Sequence, residues 1–158
     1  MKNIVLNFAL YLLSFSTLQA EQLQLKRIEP EGLPDHSFNT NLVTVEGNFK
    51  TLYVAGQVSI DKDLNCVGPG DWRAQYIQTM ENVKLALEAG GATFSDVTYF
   101  RRYATDVNAF VKMFMDKENP IPDYFKGELP ASALIGVSGL ADECYLMEFS
   151  AIAVVPAD

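Results

Sequence analysis

Leu129-Pro130-Ala131-Ser132-Ala133-Leu134-Ile135-Gly136-Val137 and Cys144-Tyr145-Leu146-Met147-Glu148-Phe149-Ser150-Ala151-Ile152-Ala153-Val154-Val155 are the stretches whose reading decides the fold. The first is a short strand entered through a proline, a residue tolerated where a strand begins. The second is an apolar strand with one acid, Glu148, inside it. Gly139-Leu140-Ala141-Asp142-Glu143 separates the two with turn-forming residues. An acid between Met147 and Phe149 is costly to bury unless it is paired or put to use. Two readings of it stay open. Glu148 is a structural partner for Arg101, Arg102 or a backbone amide, or it is a half-buried acid suited to proton transfer.

Upstream, residues 118–126 contain Pro120 and Pro122 and must break any helix there, with Tyr124 and Phe125 packing as a further turn. Asp106 caps a helix that carries Val107, Phe110, Val111 and Phe114 on one face. Residues 96–104 form a strand, Val97-Thr98-Tyr99-Phe100-Arg101-Arg102-Tyr103. Its adjacent arginines must point to opposite faces. Either one is solvated while the other pairs with a carboxylate, or one lends its guanidinium to a cleft. Asp71 caps a helix over 72–89, ended by Gly90-Gly91, and its stripe of Tyr76, Met80, Val83 and Leu87 is core. Residues 42–45 and 51–60 read as strands about an Glu46-Gly47-Asn48 turn. On the second, Gly56 marks either a bulge or the close approach of a backbone or ligand. Asp61 and Asp63 share the spacing of a calcium loop but lack its glycine and later ligands, so they are a solvated turn.

The order strands, helix, strand, helix, strand, strand is that of an α+β domain with two helices on one face of a sheet. Tyr99, Leu134, Ile135, Met147 and Phe149 divide between the two faces. A sheet apolar on both sides with helices on only one predicts self-association.

The chain has 158 residues, the size of one domain, and about half are hydrophobic. Lys2, the apolar run 4–15 and the small-residue exit Ser16-Thr17-Leu18-Gln19-Ala20 read as a secretory signal at 1–20, too short to span a bilayer comfortably. A leader at 21–37 and the domain at 38–158 follow. Cleavage removes Lys2 and no acid, moving the net charge from −8 to −9. Such a surface repels phosphate backbones, so no nucleic-acid partner is expected, and no membrane association after cleavage. The pair Cys66 and Cys144 is free to form a disulfide in an exported chain. The rival reading, a reactive cysteine, lacks a nearby basic cluster. With His36 as the one histidine, a Ser-His-Asp machine and a metal-ligand cluster have nothing to build on, and no cofactor or metal is expected.

Together the closing strands resemble the C-terminal signature of the RidA (reactive intermediate deaminase A) family. There the first opens Pro-Ala-Arg-Ser and the second carries a Glu ahead of Ala-Ile-Ala-Val. This chain has Glu148, but Ser132 stands in the place of the arginine. Tyr53-Val54-Ala55-Gly56-Gln57, Gly70-Asp71 with Ala74-Gln75 and Glu81-Asn82-Val83-Lys84, Thr105-Asp106-Val107-Asn108-Ala109-Phe110 and Leu140-Ala141-Asp142 resemble further family segments in the same order. The resemblance covers residues 36–155. It implies a chorismate-mutase-like homotrimer, with helices outside, a central barrel, and small-molecule clefts at the subunit interfaces.

In that cleft the family's arginine forks onto a substrate carboxylate. The Glu serves hydrolysis of an imine or enamine to a keto acid and ammonia. Transferred by position, the resemblance implies Glu148 as catalytic candidate and Ser132, Gly56, Ala133 and Leu134 as ligand-binding candidates. It also puts the final strand antiparallel beside the first core strand, which implies a Cys66–Cys144 disulfide. RNA cleavage, to which some relatives are linked, is disfavoured by the acidic charge and the export signal.

A guanidinium matches a carboxylate bidentately and a charged hydrogen bond of this kind is worth roughly 1.5–3 kcal/mol. Ser132 offers one neutral hydroxyl. Arg101 or Arg102 stands on the neighbouring strand as the source of a substitute. Two expectations follow. The first is an exported trimer that binds a small metabolite without turnover of 2-imino acids; the second is a hydrolase for an imine or enamine lacking the α-carboxylate, using Glu148 and water.

Overall fold

In the computed structural model, residues 21–34 and 38–157 are described; the expected export signal at 1–20, and His36, lie outside them. Strands β1 (Gln24–Ile28) and β2 (Leu42–Glu46) pair antiparallel as a small sheet. The main sheet follows with β3 (Phe49–Gln57), helix α1 (Trp72–Ala89), β4 (Val97–Ala104), helix α2 (Val107–Phe114), β5 (Ala131–Gly136) and β6 (Met147–Pro156). Its spatial order is β3-β6-β4-β5. Only the β4–β5 pair is parallel. The closing strands, neighbours in the chain, are thus parted by β4.

Local chemistry accounts for the helices. The Asp71 carboxylate accepts from the Arg73 and Ala74 amides, each at 3.0 Å, and Asp106 accepts from the Ala109 amide at 3.0 Å. At the C-terminal end of α1 the chain turns through Gly91 at φ +79°, a conformation that favours glycine. The stripe of Tyr76, Met80, Val83 and Leu87 is buried. Both helices lie on one sheet face, where Phe149 meets the rings of Tyr76, Phe100 and Phe110 at 5.5–6.1 Å.

Strand β6 alternates: Met147, Phe149, Ala151 and Ala153 are buried under the helices, while Glu148, Ser150 and Ile152 turn to the other face. The register gives Leu134 the helix side and Ile135 the other. Of the apolar residues expected to divide between faces, then, Leu134, Met147 and Phe149 serve the helix layer. The uncovered face carries Tyr53, 80% exposed, with Tyr99, Ile135 and Ile152.

Three details differ from expectation. The leader contributes β1, a half-exposed strand whose alternation is masked by Gln24, Lys26 and Arg27. Strand β3 stops at Gln57 instead of running to 60, with a register shift between Val54 and Gln57. Strand β6 begins at Met147 because residues 142–145 form a turn, in which the Asp142 carboxylate accepts from the Cys144 amide at 2.8 Å.

Beyond β3, Ile60 bridges to Cys66 around a turn in which Asp61 accepts from the amides of Asp63 and Asn65. Cys66 is joined to Cys144 in a disulfide that spans 78 residues with the Cα atoms 6.5 Å apart. The buried Gln75 of α1 binds the same place: its amide nitrogen donates to the carbonyls of Gly68 and Cys144, and its oxygen accepts from the Leu146 amide at 2.9 Å. Helix and disulfide together fasten the approach to β6. Non-reducing peptide mapping should recover a linked Cys66–Cys144 peptide, and replacing both cysteines with alanine should lower unfolding free energy by about 2–4 kcal/mol. Two free thiols in the oxidised protein would contradict this.

Candidate functional site

The parallel register sets Phe100 against Ser132 and Arg102 against Leu134, so Arg102 and Ser132 share the helix-covered face as diagonal neighbours. The Arg102 Nη2 donates to Ser132 Oγ. The guanidinium carbon also lies 5.7 Å from the Phe114 ring centroid, within cation–π range. Arg102 is only 9% exposed, and its Nε has no hydrogen-bond partner. Among the described residues the ion pairs are Arg27–Glu128, Lys62–Asp63 and Lys84–Glu81, and none involves Arg102. Burial pulls its pKa below the ordinary arginine value, yet a guanidinium keeps its charge in proteins. A buried cation held by one neutral hydroxyl is under-compensated.

That cation stands between two cavity lobes, both lined by Phe38, Arg102, Phe114 and Ser132. The first, about 250 Å³, is walled by Tyr76, Phe100, Tyr124 and Phe125 and roofed by the proline-broken segment that leads into β5. The second, about 290 Å³, is bounded by Asn39, Phe110, Val111, Met115 and Leu134. Burial pushes the Tyr76 phenol up against the opposing pull of the Arg102 charge, so it stays protonated. Tyr124, pushed up to about 12 by burial and its contact with Glu81, donates to Glu81 Oε1 at 2.9 Å.

The roof is clamped from the leader side. Arg27 Nε and Thr40 Oγ1 both donate to the Leu129 carbonyl, at 3.0 and 2.8 Å, and the Thr40 amide donates to the Pro130 carbonyl. Arg27 also pairs with Glu128 at 2.7 Å. Two larger hollows measure about 600 and 720 Å³; the smaller adjoins the first lobe through Pro122, Asp123, Tyr124 and Phe125, and no buried ionisable side chain lines either.

Glu148 lies on the opposite face, in register with Tyr103. Its carboxylate covers Gly56 so closely that a Cβ there would overlap it. Gly56 also falls within the register shift of β3. The bulge reading of that glycine applies; its close neighbour is the Glu148 side chain, where a backbone or a ligand was the other expectation. Ala133 and Arg101 share this second face; Arg101 is exposed, its guanidinium 5.1 Å from the Tyr99 ring centroid. It lines a shallow hollow of about 250 Å³ with Tyr53 and Ser150.

The residues singled out from sequence are thus sorted into two sets. Ser132, Leu134 and Arg102 lie under the helices, and Glu148, Gly56, Ala133 and Arg101 lie on the open face. Ser132 and Glu148 do not converge within one chain. Phe38, Tyr76 and Phe114 join the site although sequence reasoning left them out. Tyr76 and Phe114 carry only a core-stripe signal, which does not distinguish a cavity wall from packed interior. Among the described residues no cluster of three or more His, Cys, Asp or Glu side chains could hold a metal. No helix among them is long and apolar enough to cross a membrane.

Residues 35–155 match the family described as Endoribonuclease L-PSP. A RutC family protein of Pyrococcus horikoshii is 37% identical over 107 residues, covering 68% of this chain and 79% of its own. Another from Sulfurisphaera tokodaii is 35% identical over 65% of this chain and 78% of its own. Among solved structures, the Rid-family protein YyfB of Yersinia pestis superposes with a TM-score of 0.66 at 28% identity. That match covers 83% of this chain and 98% of the other.

The contact between Glu148 and Gly56 has a measurable consequence. Gly56→Ala should destabilise the fold by about 1–3 kcal/mol through overpacking. In a Glu148→Ala background the same change should cost distinctly less, a non-additivity that thermal or urea unfolding of the four proteins would report.

Proposed function

Since the chain belongs to the RidA (Endoribonuclease L-PSP) family, we propose that it is an exported member that binds a small anionic metabolite, anchored by Arg102 in place of the arginine that Ser132 displaces. The observation that carries this reading is the buried Arg102 guanidinium, hydrogen-bonded to Ser132 and bordering both cavity lobes. An incoming carboxylate would supply the missing counter-charge, take up the unbonded Nε–H, and gain the roughly 1.5–3 kcal/mol typical of a charged hydrogen bond.

Hydrolysis draws no support from a single chain, because Glu148 lies across the sheet from Ser132 and Arg102. The second reading, an imine or enamine hydrolase, is favoured by one feature: a half-buried carboxylate seated on a glycine of the open face. It requires Glu148 of one subunit to meet Arg102 of another. The open face, with Tyr53, Tyr99 and Ile135, supports such self-association, and a trimer is the assembly proposed. Sulfur chemistry supports export: a disulfide persists in oxidising compartments, as the apolar run at 4–15 also suggests. The acidic net charge of −8 gives no support to an RNA substrate.

Ammonia release from imines generated in situ tests the choice. Wild type should release none above background, and carboxylate binding should fall about 10- to 100-fold in Arg102→Met. Wild-type turnover that disappears in Glu148→Gln would overturn the binding reading in favour of the hydrolase. Separately, protein recovered from outside the cytoplasm should begin at Glu21 on N-terminal sequencing and sediment as three copies.

A further inference from the structure

Given the anion-binding reading above, on which this rests, the geometry points to the class of ligand: a monocarboxylate whose body is a single flat aromatic ring. The carboxylate would sit on Arg102 and Ser132 and the ring would enter the first lobe. Three observations lead there.

The lobe walls are ring faces and edges, from Tyr76, Phe100, Phe114, Tyr124 and Phe125. Several already meet one another in tilted or edge-on pairs at 5.3–6.4 Å, as with Phe100–Phe125 and Tyr76–Tyr124. A further flat ring continues that arrangement with favourable quadrupole contacts, which a saturated ring or a branched chain does not offer. Size is the second constraint. At about 250 Å³ the lobe has the liquid volume of about eight waters, which suits a one-ring body and is below the usual range for drug-sized ligands.

Charge is the third. Arg102 is the buried cation of the cavity, and Asp123 stands on the wall of the same lobe, close enough to act electrostatically on the Tyr76 phenol. A second anionic group at the far end of the ligand would meet Asp123 and be repelled. The site therefore selects one negative charge, at one end only. A protonated arylalkylamine such as benzylamine would bring its positive charge into the field of the Arg102 guanidinium and is disfavoured. The exposed Phe38, shared by both lobes, forms part of the mouth.

Calorimetric titration of the full chain tests this with acetate, cyclohexylacetate, phenylacetate, 4-carboxyphenylacetate and benzylamine. Phenylacetate should bind at least about tenfold tighter than acetate and several-fold tighter than cyclohexylacetate. The dicarboxylate should bind more weakly than phenylacetate, and benzylamine should show no binding. Phe38→Ala should weaken phenylacetate more than it weakens acetate, and Arg102→Met should weaken both about 10- to 100-fold. If Arg102→Met does not fold, Arg102→Lys, which keeps the charge but not the fork, should lose about tenfold for every carboxylate. Equal affinity for acetate, cyclohexylacetate and phenylacetate, with Arg102 still required, would overturn the aromatic class while the anion site stands. Phenylacetate binding indifferent to Arg102→Met or Arg102→Lys, or no carboxylate binding at all, would overturn both.

Discussion

A guanidinium held inside the helix-covered side of the sheet is the constraint around which much of this structure turns. Arg102 reaches that position because β4 alternates strictly from Phe100 to Ala104, so that of two consecutive arginines only one goes in. Parallel pairing with β5 then sets Ser132 within hydrogen-bond reach, and α2 supplies Phe114 beneath the cation. A buried charge compensated by one hydroxyl and one ring would be a liability in an ordinary core. On the proposed reading, the lobes on either side of it turn the same arrangement into a place where an anion would be stabilised.

The rest of the chain keeps the cavity walls in place from two directions. On one side Arg27 and Thr40, at the ends of the β1–β2 connection, fix the carbonyls of Leu129 and Pro130 and so hold the roof against β5. On the other, Gln75 and the disulfide fasten residues 66–68 and 144–146 to α1, which fixes where β6 enters the sheet. Since Tyr76 follows Gln75 directly, the residue that anchors those loops also fixes the ring that walls the first lobe. Packing and site are coupled through consecutive positions of one helix.

The architecture was legible because its signals are local. The Asp71 and Asp106 caps, the Gly90-Gly91 stop and the four-three-four stripe each specify a helix without reference to the rest of the chain. Strand β1 was not legible: Gln24-Leu25-Lys26-Arg27-Ile28 is half polar, and Arg27 acts on a carbonyl 102 positions away. At the site, Ser132 and both arginines stood out as residue types, but which arginine mattered depended on parity and on strand order together. Ser132 and Glu148 were grouped because both stand at positions of the RidA signature that the resemblance assigns to one cleft. The insertion of β4 between their strands, with the register that follows, puts them on opposite faces instead. Tyr76 and Phe114 could not be told from core by periodicity, since a cavity wall and a packed interior present the same stripe.

A guanidinium on β4 in place of one on the edge strand β5, as proposed, would do more than replace a lost donor. A side chain rooted on β5 starts at the margin of the sheet, beside solvent or another subunit. One rooted on β4 is flanked by β5 and β6, and its charge is met from within the aromatic layer. Under the proposed reading, an anion bound there would bring its body along the rings of Tyr76, Phe100 and Phe125, and selectivity would depend on what the chain itself packs. The carboxylate of Glu148, on the far face of the same chain, would then have no direct part in recognition by that chain. Its contact with Gly56 ties it to the register shift of β3 and to whatever covers the open face.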